Sequence, residues 1–248
     1  MTEARPSSPP NPIKISSLAL IPYYGSAPLA HHLAVKDSGV RVLRTDGDAC
    51  IDAARSVLIE HAFRLAEIEV AVFIDSDMTF TRRDYDALAL SAHHLGAIVG
   101  GACVTKGDHG ATPRLSGQFR EIPKGPVRFY EQGDLYPATR LGMAFTAISR
   151  KAYDRMVTHS GLGKVWMPLG DAGGTRVAPL FLPMVQGDHY LKEDYAFSAR
   201  ALDAGVPLFL DTRPDLVHYG EVGFRIEDLA RPPTQKNPDF GFTVTPKA

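Results

Sequence analysis

The chain has 248 residues, enough for one large α/β domain with a substantial core or for two small domains. Hydrophobic residues make up 44% and charged residues 22%, an ordinary globular composition that argues against disorder over most of the length. The formal net charge of -1 gives the chain no global pull toward nucleic acid or an acidic membrane surface.

Residues 1–12 read MTEARPSSPPNP, rich in Pro and Ser, and a disordered tail is expected through residue 13. That segment carries no apolar core of a signal peptide. No run of about 18 apolar residues occurs anywhere, so the expectation is a cytoplasmic protein without a membrane span. The apolar run Ile15 to Ile21, stopped by Pro22-Tyr23-Tyr24-Gly25, predicts a buried first strand. A weaker strand is expected over Val40 to Leu43. Asp48 then caps a helix whose Ile51, Ala54, Leu58, Ala62 and Leu65 form one apolar face, with Arg55, Glu60 and Arg64 off it.

Val70 to Ile74 is a continuous apolar run rich in β-branched residues, the mark of a central strand covered on both faces. Asp75-Ser76-Asp77 follows directly. A helix is expected from about Asp84 to Leu95, closed by Gly96, and then a strand from Ala97 to Val104. Residues 107–138 carry many Gly and Pro and predict loops or short strands. Arg140 to Ser149 reads as a strand and Lys151 to Thr158 as a short helix. Residues 160–187 form a second irregular stretch with the single tryptophan, Trp166. Such segments in a compact domain are usually binding loops. Glu193 to Ala204 predicts a helix ended by Gly205 in a left-handed conformation, and Pro207 to Leu210 a last core strand. From Arg231 onward the chain reads as a tail. Cys50 and Cys103 are far apart in apolar stretches, and read as free thiols. The alternation of strands and helices predicts one α/β domain over residues 14–230 with a mostly parallel sheet.

Asp75 and Asp77 are the sharpest chemical feature. Residues two apart in an extended segment point to the same side, so the two carboxylates repel each other. At the C-terminal end of a strand in an open α/β sheet they lie where such sheets bind ligands. A hard divalent cation, magnesium or manganese, resolves the repulsion. The plainer reading is a solvated turn with capping aspartates. His218, before Tyr219-Gly220, offers an imidazole as a further ligand, or is a packing residue. Glu193 and Asp194 at a helix start complement its dipole, and either carboxylate suits a general base. Arg55 and Lys106 are cations that fit a diphosphate, or are simply solvated. Gly142 permits close approach of a ligand or of backbone.

Taken in order, these residues resemble the A-type glycosyltransferase fold, a Rossmann-like single domain. Within that fold they resemble small bacterial and phage-encoded enzymes. Ile21-Pro22-Tyr23-Tyr24 resembles the nucleoside-contacting segment, and Ala54-Arg55-Ser56 the family's Ala-Arg-Asn helix motif, with Ser56 in the asparagine's place. Phe73-Ile74-Asp75-Ser76-Asp77-Met78 resembles the Asp-x-Asp metal motif. Gly100-Gly101 with Lys106, the Gly142 to Phe145 loop, Lys192-Glu193-Asp194-Tyr195-Ala196-Phe197 and His218-Tyr219-Gly220 follow in the family's order.

The resemblance implies a hexosyl- or pentosyltransferase. Asp77, Asp75 and His218 would hold manganese or magnesium on the diphosphate of a UDP- or GDP-linked sugar. Pro22, Tyr23, Tyr24, Arg55, Ser76, Lys106 and Gly142 would line the donor. Asp194 or Glu193 would serve as base if the reaction inverts. The acceptor could be a glycan, a metabolite or a modified nucleobase.

Two other readings compete. Asp75-Ser76-Asp77-Met78-Thr79 also fits the Asp-x-Asp-x-Thr signature of haloacid-dehalogenase phosphatases, with Asp75 as nucleophile. That family usually begins its core with this strand, whereas here two strands and a helix precede it. A non-catalytic nucleotide-sugar-binding protein on the same fold is the second alternative.

Overall fold

The computed structural model describes residues 15–46, 50–105, 114–168, 173–220 and 223–227. The expected tails, the Asp48 cap and Lys106 lie outside the described residues. The elements run in the order β1 (Ser17–Tyr23), α1 (Leu29–Ser38), β2 (Val42–Asp46), α2 (Ile51–Arg64), β3 (Val70–Ile74), β4 (Met78–Thr79), α3 (Arg82–Leu95) and β5 (Ile98–Gly101). Next come β6 (Gln118–Phe119), β7 (Leu135–Arg140), β8 (Phe145–Ser149), α4 (Arg150–His159), β9 (Val165–Pro168) and β10 (Gly174–Val177). The chain then forms β11 (Met184–Gln186), β12 (His189–Leu191), α5 (Glu193–Asp203), β13 (Leu208–Asp211), β14 (Val217–Tyr219) and β15 (Gly223–Phe224).

Eight strands make the central sheet in the order β2-β1-β3-β8-β5-β13-β7-β6. β1 runs parallel to β2 and β3, and β13 runs parallel to β5. β8 is inserted antiparallel between β3 and β5, and β7 lies antiparallel to β13 and β6. The architecture is the expected single α/β domain, but the sheet is mixed rather than mostly parallel. Phe145 to Ser149 is buried at every position. Burial at every position signals cover on both faces and carries no information on strand direction.

Strand alternation feeds two cores, one on each face of the sheet. Leu18, Leu20, Ala71 and Phe73 point to the side covered by α2, α4 and α5, where they meet Leu58, Phe63, Tyr153, Met156 and Phe197. Ala19, Ile21, Val70, Val72 and Ile74 point to the other side, against Tyr85, Leu88 and Ala92 of α3. The helix α3 begins earlier than its apolar pattern suggests, because Thr81 and Asp84 form a reciprocal capping box. Gly205 has φ 68°, the left-handed stop expected after α5.

Helix α2 departs from the one-sided amphipathic pattern. Arg55 and Glu60 are both 3% exposed although they lie off the apolar stripe. Glu60 accepts from Tyr153 Oη at 2.9 Å and from Lys164 Nζ at 2.6 Å. Arg64 donates to the Arg176 carbonyl. The β9–β10 hairpin thus roofs α2 on the side away from the sheet, and each buried charge on that helix has a partner.

Candidate active site

The site begins where β3 ends. The Asp75 amide donates to the Ala144 carbonyl at 2.9 Å, and the Met78 amide returns to the Asp75 carbonyl at 3.1 Å, so residues 75–78 form a tight turn. Met78 and Thr79 then pair antiparallel with His218 and Val217 of β14. The Tyr219 amide donates to the Asp77 carbonyl at 2.8 Å. Main-chain hydrogen bonds alone therefore bring His218, 141 positions away in sequence, beside Asp77.

His218 Nε2 stands 3.3 Å from Asp77 Oδ1. Its other ring nitrogen, Nδ1, lies 2.8 Å from the Val104 carbonyl oxygen. A carbonyl only accepts, so Nδ1 carries a proton and donates it. Nε2 then faces a carboxylate oxygen, an arrangement that places a proton or a metal ion between them. Two ligands each about 2.1 Å from a shared ion, at about 90–110°, lie roughly 3.0–3.4 Å apart. The Nδ1–H bond to a backbone carbonyl is also the usual way a metal-binding imidazole is oriented. The Asp77–His218 pair fits a divalent ion. Among the described residues, no group of three or more His, Cys, Asp or Glu side chains surrounds one point as a complete metal cage. An ion held here would take its remaining oxygens from substrate or water, as magnesium commonly does with phosphates.

Asp75 has a different partner. Its Oδ1 accepts from Arg55 Nη2 at 2.7 Å, while Arg55 Nη1 donates to Glu193 Oε1 at 2.8 Å. The Arg55 side chain is 4% exposed, those of Asp75 and Glu193 26% and 21%. A guanidinium expected on a diphosphate thus joins two carboxylates, one at the end of β3 and one at the start of α5. Asp194, the neighbour of Glu193, makes no ion pair among the described residues. Its carboxylate accepts from the Tyr195 amide at 2.7 Å on Oδ1 and from its own amide. Burial first, and then the adjacent Glu193 charge, push its carboxyl above the usual aspartate range.

The expected donor segment divides. Pro22 is buried within β1, opposite Thr45. Tyr23 closes the strand and lines a cleft of about 410 Å³ with His31, His32 and Arg44. The Arg44 guanidinium lies 5.5 Å from the Tyr23 ring centroid. Tyr24 points outward, 63% exposed. Ser76 is half-buried in the turn. Ser56 is buried and donates within α2 to the Asp52 carbonyl. Gly142 does permit a close approach, and the neighbour is protein: a Cβ there would collide with Ser116 Oγ. Its carbonyl accepts from Thr146 Oγ1 at 2.8 Å.

His31, which had no role on sequence grounds, belongs to this region. It is 2% exposed and donates Nδ1–H to the Met78 carbonyl at 2.8 Å, tying α1 and the Tyr23 cleft to the Asp75–Asp77 turn. Burial lowers its pKa, against the opposing pull of the Met78 carbonyl. A lone histidine in a helix without an apolar stripe gives no signal in one sequence.

No family model matches the chain, and no curated protein matches it. Solved structures do. The crystal structure of A197 from STIV superposes with a TM-score of 0.58 at 14% identity, over 83% of this chain and 86% of that one. The fold is therefore shared with A197 across most of both chains. The crystal structure of GalNAc-T7 with UDP, GalNAc and Mn2+ matches with a TM-score of 0.47 at 13% identity, over 88% of this chain and 45% of that one. No helix among the described residues is long and apolar enough to cross a membrane.

Proposed function

We propose that this chain is a metal-dependent glycosyltransferase, moving a sugar from a uridine- or guanosine-diphosphate sugar to an acceptor hydroxyl. The observation that carries the reading is the Asp77–His218 pair, with Nε2 and a carboxylate oxygen 3.3 Å apart at the C-terminal end of β3. Asp77 and His218 hold manganese or magnesium, with Asp75 beside them. When bound, the ion supplies positive charge at the donor's diphosphate as the nucleotide leaves. Tyr23 and the cleft behind it take the nucleoside, next to that charge.

At the other end of the site the two candidate bases separate on chemical grounds. Glu193 Oε1 is engaged by a charged hydrogen bond from Arg55 Nη1 at 2.8 Å, so that oxygen is not open to an acceptor hydroxyl. Asp194 makes no ion pair among the described residues, and burial raises its proton affinity. In an inverting transfer the acceptor oxygen bonds to the anomeric carbon and the carbon–oxygen bond to the diphosphate breaks. The nucleoside diphosphate leaves with the electron pair, and Asp194 takes the hydroxyl proton.

The phosphatase alternative is less well served. Asp75 would have to attack a phosphorus atom, yet its Oδ1 is engaged by a hydrogen bond from a buried guanidinium.

The test is calorimetric titration of nucleoside diphosphates into the wild-type protein and Asp77→Ala, each with and without manganese. Wild type should bind one diphosphate tightly only with the metal, and Asp77→Ala should lose that binding by about 100-fold or more while keeping its fold. Unchanged metal-dependent binding in Asp77→Ala removes the assignment.

A further inference from the structure

Among the described residues, Arg55 is the cation buried between the two acidic segments of the site. It lies on the first turns of α2, five positions after Cys50, and reaches Asp75 at 2.7 Å and Glu193 at 2.8 Å in the same guanidinium plane. Its third donor, Nε–H, is buried and has no hydrogen-bond partner among the described residues. An arginine–carboxylate cluster kept only for stability could be replaced as a whole by apolar residues at little cost, because desolvating a buried ion pair offsets most of its attraction. Here the cation ties together polar ends that the apolar core leaves separate: the end of β3 and the start of α5, with 138 positions between Arg55 and Glu193.

We propose that Arg55 is a positioning residue, an internal cation that clamps the start of α5 to the end of β3 and competes with the divalent ion for the Asp75 carboxylate. The proposal rests on the metal reading above only for its second half. Holding Glu193 fixes the register of the helix start, and so sets where Asp194 is carried relative to the Asp75–Asp77 turn. Holding Asp75 Oδ1 limits how far that carboxylate is available to an ion, leaving Asp77 and His218 as the direct ligands. The clamp therefore ties the donor end of the site to the element that bears the base.

A residue that merely fills space and a residue that competes with the metal make opposite predictions. Manganese affinity should be titrated directly, by the loss of the free-ion resonance signal, in wild type and Arg55→Gln. Releasing a carboxylate and removing a nearby positive charge should tighten manganese binding by roughly three- to tenfold. A folded Arg55→Gln that binds manganese equally or more weakly overturns the competition.

The second measurement uses metal-free protein. Arg55→Gln leaves two half-buried carboxylates without their cation and should lower Tm by roughly 10 °C. Adding Asp75→Asn and Glu193→Gln to it should restore more than half of that loss, because no charge is then left uncompensated. A triple variant no more stable than Arg55→Gln, or one that fails to fold, shows that the residue is needed for packing and overturns the clamp. If wild type binds no manganese at all, the metal reading fails, and the clamp stands or falls on this metal-free comparison.

Discussion

The turn after β3 and the hairpin before α5 are built in opposite ways, although both lead into the same site. β3 is buried at all five positions and hydrogen-bonded on both sides, by β1 and β8. The turn that follows is held by backbone bonds to Ala144 and Tyr219. The β11–β12 hairpin is three residues a side, paired only with itself, and shows Val185 and Tyr190 to solvent at 67% and 68% exposure. An isolated two-stranded hairpin is marginal on its own. The difference teaches where this fold is constrained: the turn that carries Asp75 and Asp77 is set by the main core, while the hairpin that leads to α5 is set by its own local pairing.

The largest effect that would sharpen this contrast is chemical. Asp194→Asn should bind the donor as wild type does and lose transfer by about 10²–10⁴-fold, as measured by release of the nucleoside diphosphate in the presence of acceptor. Full transfer in that variant removes the base assignment. Next comes the core. Phe73→Ala, on a fully buried side chain packed against Phe181 with ring centroids 5.4 Å apart, should cost about 3–5 kcal/mol in denaturant unfolding. A loss below about 1 kcal/mol would break the picture of a constrained donor half.

His218→Ala should weaken manganese binding several-fold, roughly five- to tenfold. An unaltered titration returns His218 to the packing residues.

Asp194→Asn also has a stability signature with a definite sign. The folded carboxyl has a raised pKa, so the folded state prefers it protonated and the charge is destabilising once it forms. The penalty is absent below the ordinary aspartate value of 3.8, appears as pH rises through the folded value, and is fully present at neutral pH. The asparagine variant should therefore gain about 1–3 °C in Tm at pH 7 and nothing near pH 3. The smallest effect belongs to the hairpin: Val185→Ala and Tyr190→Ala, a directly opposed exposed pair, should each change stability by no more than about 1 kcal/mol.

The same contrast explains what could be read from sequence. Val70 to Ile74 and the aspartates after it were legible because a continuous apolar run followed by two acids is a local pattern, and the strand has those bounds. His218 was legible only as a candidate, since its place beside Asp77 depends on a β4–β14 ladder of two residue pairs. Helix α1 went unseen because Leu29 and Leu33 face solvent while His31 is buried, the reverse of an apolar stripe. The reversed direction of β8 leaves no mark on its composition. Arg55 looked like a solvent-side or phosphate-binding cation, since a helix covered on two sides buries residues that a one-sided pattern assigns to water.

The most direct measurement is thermal unfolding against a panel of nucleoside diphosphates, each with and without manganese. A ligand at about a hundredfold excess over its dissociation constant adds roughly 2.7 kcal/mol, a shift of about 5–10 °C. One diphosphate that stabilises the protein only when manganese is present is the predicted result, and it names the donor base. No shift with any diphosphate, together with stabilisation by phosphate mimics and magnesium, would contradict the glycosyltransferase reading and favour phosphatase chemistry at Asp75.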